Sequence, residues 1–287
     1  MVNDMAECNV CFRHCLIDEG KTGFCRVRTC KDGIVIPMNY GKVTSIALDP
    51  IEKKPLRRFF PGTKILSVGS CGCSLRCPFC QNHEISWGDN ALNTADTAAI
   101  LTPGEIAFLA DKYRSKGNIG VAFTYNEPLV GYEFVRDTAK EVRKKGLYNV
   151  LVTSGNAEVP VLDELSPCID AMNIDLKGFT EHFYTDVAKG DLDTVKRFIE
   201  RAVQFCHVEI TTLIIPGEND SEKEITAISR WIASLKGKTD GRDIPLHISR
   251  FFPHFHMTDR AATDVRTIYR LADVARKELN YVYTGNC

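Results

Sequence analysis

From residue 64 onward the chain alternates two hydrophobic patterns. Short apolar runs rich in β-branched and aromatic residues at 64–69 (KILSVG), 119–125 (IGVAFTY), 148–154 (YNVLVTS), 169–177 (IDAMNIDLK), 207–215 (HVEITTLII), 244–251 (IPLHISRF) and 281–284 (YVYT) predict buried strands. Between them, 103–115, 132–145, 193–205, 221–236 and 264–279 carry apolar residues every three to four positions, and several of these helices open on Thr, Ser or Asp ahead of acidic residues. Strands that alternate with such helices predict parallel βα units with right-handed crossovers. The expected fold is therefore α/β, a partial (β/α) barrel whose chemistry sits in the turns after each strand. Seven strand candidates fall one short of an eightfold barrel. No repeat of fixed period is visible, which excludes a solenoid.

Residues 1–63 break the rhythm, with five cysteines, five glycines and few long periodic stretches. They read as a small Cys-rich module wrapped onto a 64–287 barrel domain. Lys53, Lys54, Arg57 and Arg58 form a charge run, which reads as a solvated face rather than a docking patch.

At 287 residues the chain is long enough for a large core. Its 36 Lys and Arg nearly balance 37 Asp and Glu, so whole-chain charge gives no case for nucleic acid or an acidic membrane surface. The absence of a long apolar run and of a signal-peptide pattern predicts a cytoplasmic protein without a membrane span.

The cysteines change this ordinary picture. Nine of the twelve lie in two clusters, 8–30 and 71–80, a pattern that points to metal or catalysis in a protein that is not exported. Cys73, Cys77 and Cys80 form CxxxCxxC directly after the first strand candidate. Three thiolates leave one iron of a [4Fe–4S] cluster open to another ligand, which suits catalysis better than plain electron transfer. The alternatives are zinc, with Cys71 or His83 as a fourth ligand, and core cysteines that hold no metal.

CxxxCxxC with Phe79 before its last cysteine resembles the signature loop of the radical S-adenosylmethionine (SAM) superfamily. DPIEKKPLRRFFPG (49–62), CPFCQN (77–82), TYNEP (124–128), IDLK (174–177), TTLIIPGEND (211–220) and YTGN (283–286) narrow the resemblance. Together they are similar to the AmmeMemoRadiSam group, itself similar to pyruvate formate-lyase activating enzyme. The resemblance implies a [4Fe–4S] cluster on Cys73, Cys77 and Cys80 whose open iron chelates the amino and carboxylate groups of SAM. Reduction then yields methionine and a 5′-deoxyadenosyl radical that takes a hydrogen atom from a substrate. It also implies an electron donor such as flavodoxin or ferredoxin, and a glycyl-radical protein as a candidate partner.

The same resemblance distributes roles. Thr124, Tyr125, Asn126 and Glu127 stand where activating enzymes carry Gly-Gly-Glu-Pro and receive the methionine amino group; the residues alone also fit a helix start with Asn126 as N-cap. Asp175 and Lys177, two apart and on one side of a strand, correspond to ribose or cation and methionine carboxylate contacts, or form a buried ion pair. Thr153 and Ser154 face the ribose, while Val152 replaces an aspartate of a cation site in the relatives. Gln81 and Asn82 match adenine-side residues or, read alone, cap the next helix; Arg250, at a late strand end, is a candidate to face the pocket. His247, His254 and His256 lack a carboxylate partner in sequence and read as strand edge and loop rather than a metal site.

Cys8, Cys11, Cys15 and Cys25 supply four thiolates within 18 residues. Zinc, a second iron–sulfur cluster and no metal all remain open there, with Cys30 and His14 spare. The leading function is SAM-derived radical chemistry on a partner protein. The same chemistry on another macromolecule or small metabolite is the alternative, and an iron–sulfur electron carrier or metal-binding adaptor the competing class.

Overall fold

The computed structural model describes residues 5–89 and 91–287. One eight-stranded sheet dominates, built from β1 (Ser45–Pro50), β2 (Lys64–Gly69), β3 (Asn118–Phe123), β4 (Tyr148–Thr153), β5 (Ala171–Asp175), β6 (His207–Ile214), β7 (Leu246–Arg250) and β8 (Val282–Gly285). Spatial order follows chain order from β1 to β8. Neighbours from β2 to β8 are parallel, and β1 lies antiparallel on β2. Parallel strands adjacent in sequence require crossovers, which α1 (Pro103–Lys112), α2 (Tyr132–Lys144), α3 (Val159–Leu165), α4 (Leu192–Ala202), α5 (Glu222–Ser234) and α6 (Val265–Ala275) supply. The result is the expected partial barrel.

All seven predicted strands are present, with ends shifted by a few residues. The run at 169–177 shortens to Ala171–Asp175, because Leu176 and Lys177 already turn over the barrel mouth. The eighth strand, Ser45–Pro50, escaped the pattern: only pairing with Lys64–Gly69 makes it a strand. Helix α3 was missed as well, being seven residues with two prolines nearby in the chain. The long helices were legible through their buried stripes; α4 buries Leu192, Val195, Phe198, Ile199 and Ala202, an i, i+3, i+4 spacing. Thr102 and Glu105 close a capping box at the start of α1, satisfying amides that the first turn leaves free.

The segment after β1 corrects the reading of 52–58 as a solvated charge run at Lys54 alone, since Lys53, Arg57 and Arg58 are exposed. Ile51 and Leu56 are fully buried and pack with Ile65, Ala122, Val150 and Ala171, filling one end of the barrel. Lys54 is only 3% exposed. The plug is fastened by Glu209 of β6, whose carboxylate accepts from the amides of Arg57 (3.0 Å) and Arg58 (2.7 Å) and from Nε2 of His207 (3.0 Å) and His247 (2.6 Å). His247 thus has the carboxylate partner that the local sequence did not show.

Ahead of β1, two antiparallel hairpins, Met5–Glu7 with Leu16–Asp18 and Arg28–Lys31 with Ile34–Pro37, lie against the barrel. Arg28 reaches Glu133 of α2 through a two-pronged ion pair of 2.8 and 3.0 Å. Asn39 donates to the Cys71 carbonyl (3.0 Å), so the hairpins pack behind the cysteine loop. Among the described residues no helix is long and apolar enough to cross a membrane.

Candidate active site

Strand β2 ends at Gly69 and delivers the chain into the loop that carries Cys73, Cys77 and Cys80. All three thiols border one cavity of about 360 Å³ at the C-terminal ends of the strands. Burial pushes the Cys77 thiol up to about 12, opposed by the nearby Lys177 ammonium. Cys73 is driven well above the ordinary range by burial, Glu127 and Cys77. These thiols resist ionisation alone, and a bound cationic cluster is what would make them thiolates. Neither candidate for a fourth protein ligand faces them: Cys71 packs with Cys25, Val27 and Val130, and His83 stacks on Phe255 at 4.0 Å. Three sulfurs around an open cavity fit a [4Fe–4S] core with one iron left for an exogenous ligand. Phe79 is buried between Cys77 and Cys80 in the chain and leans on Phe183, with ring centroids 6.4 Å apart.

The loop after β3 forms the next wall. Glu127 is 4% exposed, and its two oxygens accept from the Thr153 hydroxyl (2.6 Å), the Ser154 amide (2.8 Å), the Ser154 hydroxyl (2.6 Å) and the Leu129 amide (3.1 Å). Four donors occupy a carboxylate's acceptor sites. Glu127 therefore braces the ends of β3 and β4 against each other beside the cysteines. Asn126 accepts from the Ser70 amide (3.0 Å) and donates to the Gly72 carbonyl (3.1 Å), tying this loop to the cysteine loop; it is not the side-chain cap of a helix.

Tyr125 adopts φ +73°, a left-handed conformation unfavourable for an aromatic residue. Its carbonyl accepts from Asn82 (2.8 Å), and its hydroxyl donates to Asp49 (2.9 Å). Asp49 also accepts from Lys54 (2.9 Å) and Ser67 (2.8 Å). Burial opposes charge on Asp49, but these donors win and hold its carboxyl down at about 2. The backbone bend is one that glycine supplies freely, and here the side chain is used to anchor the cavity floor.

Opposite, Lys177 Nζ lies 2.8 Å from Asp175, and the Lys177 amide donates to the Tyr184 hydroxyl (3.1 Å). Burial disfavours the ammonium, yet Asp175 and the Cys77 sulfur more than compensate and its pKa rises. Thr124, Thr153, Ser154, Gln81 and Asn82 line the same cavity, as do Ser249 and Asn286, which sequence reasoning missed. Arg250 does not line it: alternation along β7 puts Ser249 on the cavity side, while Arg250 donates to the Thr263 carbonyl (2.7 Å) and lies over Phe252. His254 and His256 join a ring cluster with His83, Trp87 and Phe255. Lys53 and Lys54 do face the cavity, a placement that the plug segment alone could not reveal. Cys8, Cys11, Cys15 and Cys25 border a separate, enclosed gap behind the cysteine loop.

A partial barrel with three cysteines on the loop after its first parallel strand, facing a polar cavity, defines a radical SAM enzyme. Residues 67–227 match the Radical SAM superfamily, and the chain belongs to it. Membership implies a [4Fe–4S] cluster and SAM as cofactors. The chain is 39% identical to an uncharacterised protein of Methanocaldococcus jannaschii over 99% of its own length and 82% of that protein's. It is 24% identical to the pyruvate formate-lyase 1-activating enzyme of Escherichia coli K12, covering 65% of this chain and 75% of the enzyme. The isethionate sulfite-lyase activating enzyme of Desulfovibrio desulfuricans is 28% identical, over 60% of this chain and 63% of that enzyme. Among solved structures, a domain of pyruvate-formate lyase-activating enzyme from Bacteroides vulgatus shares the fold with a TM-score of 0.50 at 21% identity, covering 58% of this chain and 99% of that one. Streptococcus suis SuiB does so at 0.56 and 12% identity, over 75% of this chain and 47% of that one.

Proposed function

We propose that the chain is an activating enzyme that installs a radical on a partner protein of the glycyl-radical kind, drawing its electron from a flavodoxin or ferredoxin. The observation that carries the chemistry is the convergence of Cys73, Cys77 and Cys80 with Lys177, Asp175 and the Glu127 brace on one cavity. Similarity to activating enzymes for pyruvate formate-lyase and isethionate sulfite-lyase supports the partner class. When bound, the cluster supplies the electron that cleaves SAM to methionine and a 5′-deoxyadenosyl radical.

In this reading the protein binds, orients and excludes water. Cys73, Cys77 and Cys80 hold the cluster. Lys177 grips the methionine carboxylate, and Asp175 keeps the ammonium pointed while meeting the ribose. With Glu127 saturated by four donors, backbone carbonyls and the hydroxyl of Thr124 receive the methionine ammonium, and Glu127 holds that loop in place. Thr153 and Ser154 stand at the ribose, Gln81 and Asn82 at the adenine, and Phe79 fills the wall between cluster and barrel. Lys53, Lys54 and Tyr125 line the part of the cavity left for the substrate.

The test is twofold. The reduced, reconstituted protein should convert SAM to 5′-deoxyadenosine and methionine, and mixing it with a glycyl-radical enzyme encoded by the same organism should give a glycine-centred radical by electron paramagnetic resonance (EPR). Cleavage without a radical on any such protein would leave the chemistry and remove the partner.

A further inference from the structure

We infer that Lys53 and Lys54 form a carboxylate subsite in the cavity, through which a substrate is held by an acidic group. Its use by a substrate rests on the proposed function; the subsite itself is read from the chain's own residues.

Lys54 is the anchor. It is 3% exposed, yet it borders the cavity. Ile51 and Leu56 on either side of it are fully buried, and Glu209 fastens the plug through the amides of Arg57 and Arg58, so the ammonium is fixed in place. Its Nζ donates to Oδ2 of Asp49 (2.9 Å) and sits 4.7 Å from the centre of the Tyr125 ring. That same oxygen also accepts from the hydroxyls of Ser67 (2.8 Å) and Tyr125 (2.9 Å). Among the described residues Nζ has no other hydrogen-bond acceptor. Asp49 therefore satisfies one of its three N–H groups, the ring face offers a weak partner to a second, and the third is left for the cavity. A buried ammonium with an unused donor is unfavourable unless something takes it, and burial lowers the Lys54 pKa in spite of Asp49.

The local charges do not cancel. Lys53 Nζ lies 3.6 Å from Oδ1 of Asp49, with its side chain 68% exposed at the rim of the same cavity. Two ammoniums thus face one carboxylate, which stays ionised because its donors hold it down at about 2. Asp49 and Lys53 are the charged groups that act on Lys54. The other acidic and basic side chains lining the cavity are committed elsewhere, Lys177 to Asp175 at 2.8 Å and Glu127 to Thr153 and Ser154. Thr211, Ser249 and Asn286 add uncharged polar groups. A surplus of one positive charge is balanced by a carboxylate, whereas a phosphate group carries nearly twice that charge.

This corner is shaped for the purpose. Tyr125 takes φ +73° to bring its ring and hydroxyl here, and a Cβ on Gly69 would come within 2.8 Å of that ring, so glycine is what lets β2 pass beside it. A solvated charge run needs neither feature.

The test uses the chain reconstituted without oxygen and saturated with SAM, titrated by calorimetry with acetyl-Gly-Asp-Gly-amide, its Asn counterpart and propionate. The Asp peptide should bind about tenfold tighter or more than the Asn peptide, the effect of one charge-assisted contact. Lys54→Met should abolish that preference. Because this change leaves Asp49 short of a partner, Asp49→Asn/Lys54→Met removes both together and leaves no unpaired buried charge. The double variant keeps the surplus of one charge, so loss of the preference there assigns it to the Lys54 ammonium and not to net charge. Iron content and SAM affinity should match wild type in both variants. Equal affinity for the two peptides, no saturable binding of any probe at millimolar concentration, or a preference that survives in the double variant overturns the subsite. Propionate binding as tightly as the Asp peptide makes the source of the carboxylate a small free acid; weaker propionate binding makes it a protein segment. A retained preference with no glycine-centred radical on any partner keeps the subsite and removes the partner reading. A glycine radical formed without any preference does the reverse.

Discussion

Replacing Glu209 by glutamine should cost about 3 kcal/mol of stability at neutral pH, although the residue never reaches the cavity. The carboxylate is fully buried and accepts four hydrogen bonds, two from the plug amides of Arg57 and Arg58 and two from His207 and His247. Burial alone would raise its pKa, but the two imidazoles and the Arg57 amide outweigh burial and bring it from 4.5 to about 2. A depression of that size corresponds to about 3 kcal/mol of native-state preference for the carboxylate. A glutamine keeps one acceptor oxygen and turns an NH₂ group toward donors, so both plug amides cannot be satisfied.

The sign of the pH dependence follows from the depressed value. The carboxylate's contribution is complete above the unfolded pKa near 4.5 and is lost as pH falls toward about 2. The gap between wild type and Glu209→Gln should therefore narrow from about 3 kcal/mol at pH 7 to about 1 kcal/mol at pH 3. Urea unfolding of the metal-free chain, followed by circular dichroism at both pH values, measures it. A gap below 1 kcal/mol at pH 7, or one that does not narrow with acid, would refute the view that this carboxylate fastens the barrel plug.

Other substitutions probe the cavity. Alanine at any one of Cys73, Cys77 or Cys80 should abolish SAM cleavage and the part of the cluster spectrum that responds to SAM, whereas Cys71→Ala should leave both largely intact, as a spectral titration with SAM and product chromatography would show. Lys177→Ala should weaken SAM binding by about 10 to 100-fold, or 1.5 to 3 kcal/mol, at unchanged iron content; wild-type affinity in a titration of the cluster spectrum would reduce Asp175 and Lys177 to an ordinary ion pair. Tyr125→Phe should lower stability by about 1 kcal/mol through loss of the Asp49 contact while leaving iron content unchanged, and an unaltered thermal midpoint would remove that contact from the account.

Periodicity along the chain determined the βα alternation, because each strand and each long helix carries its own buried face and reports it locally. The CxxxCxxC spacing marked the cysteine loop for the same reason: its three cysteines lie within eight residues and need no distant partner to be recognised. Tertiary structure decided what depended on contacts far apart in sequence. Ser45–Pro50 is a strand only because Lys64–Gly69 pairs with it. Lys54 looked solvated because its partners, Asp49 and the ring of Tyr125, come together only when the plug enters the barrel. That Glu127, which lines the cavity, spends its oxygens on Thr153 and Ser154 at the end of the next strand depends on two strands lying side by side. Arg250 and Ser249 could not be told apart until the pleat of Leu246–Arg250 fixed which one faces inward. Local sequence carries periodicity and ligand spacing; burial and the direction of a side chain are set by segments that meet only in the folded chain.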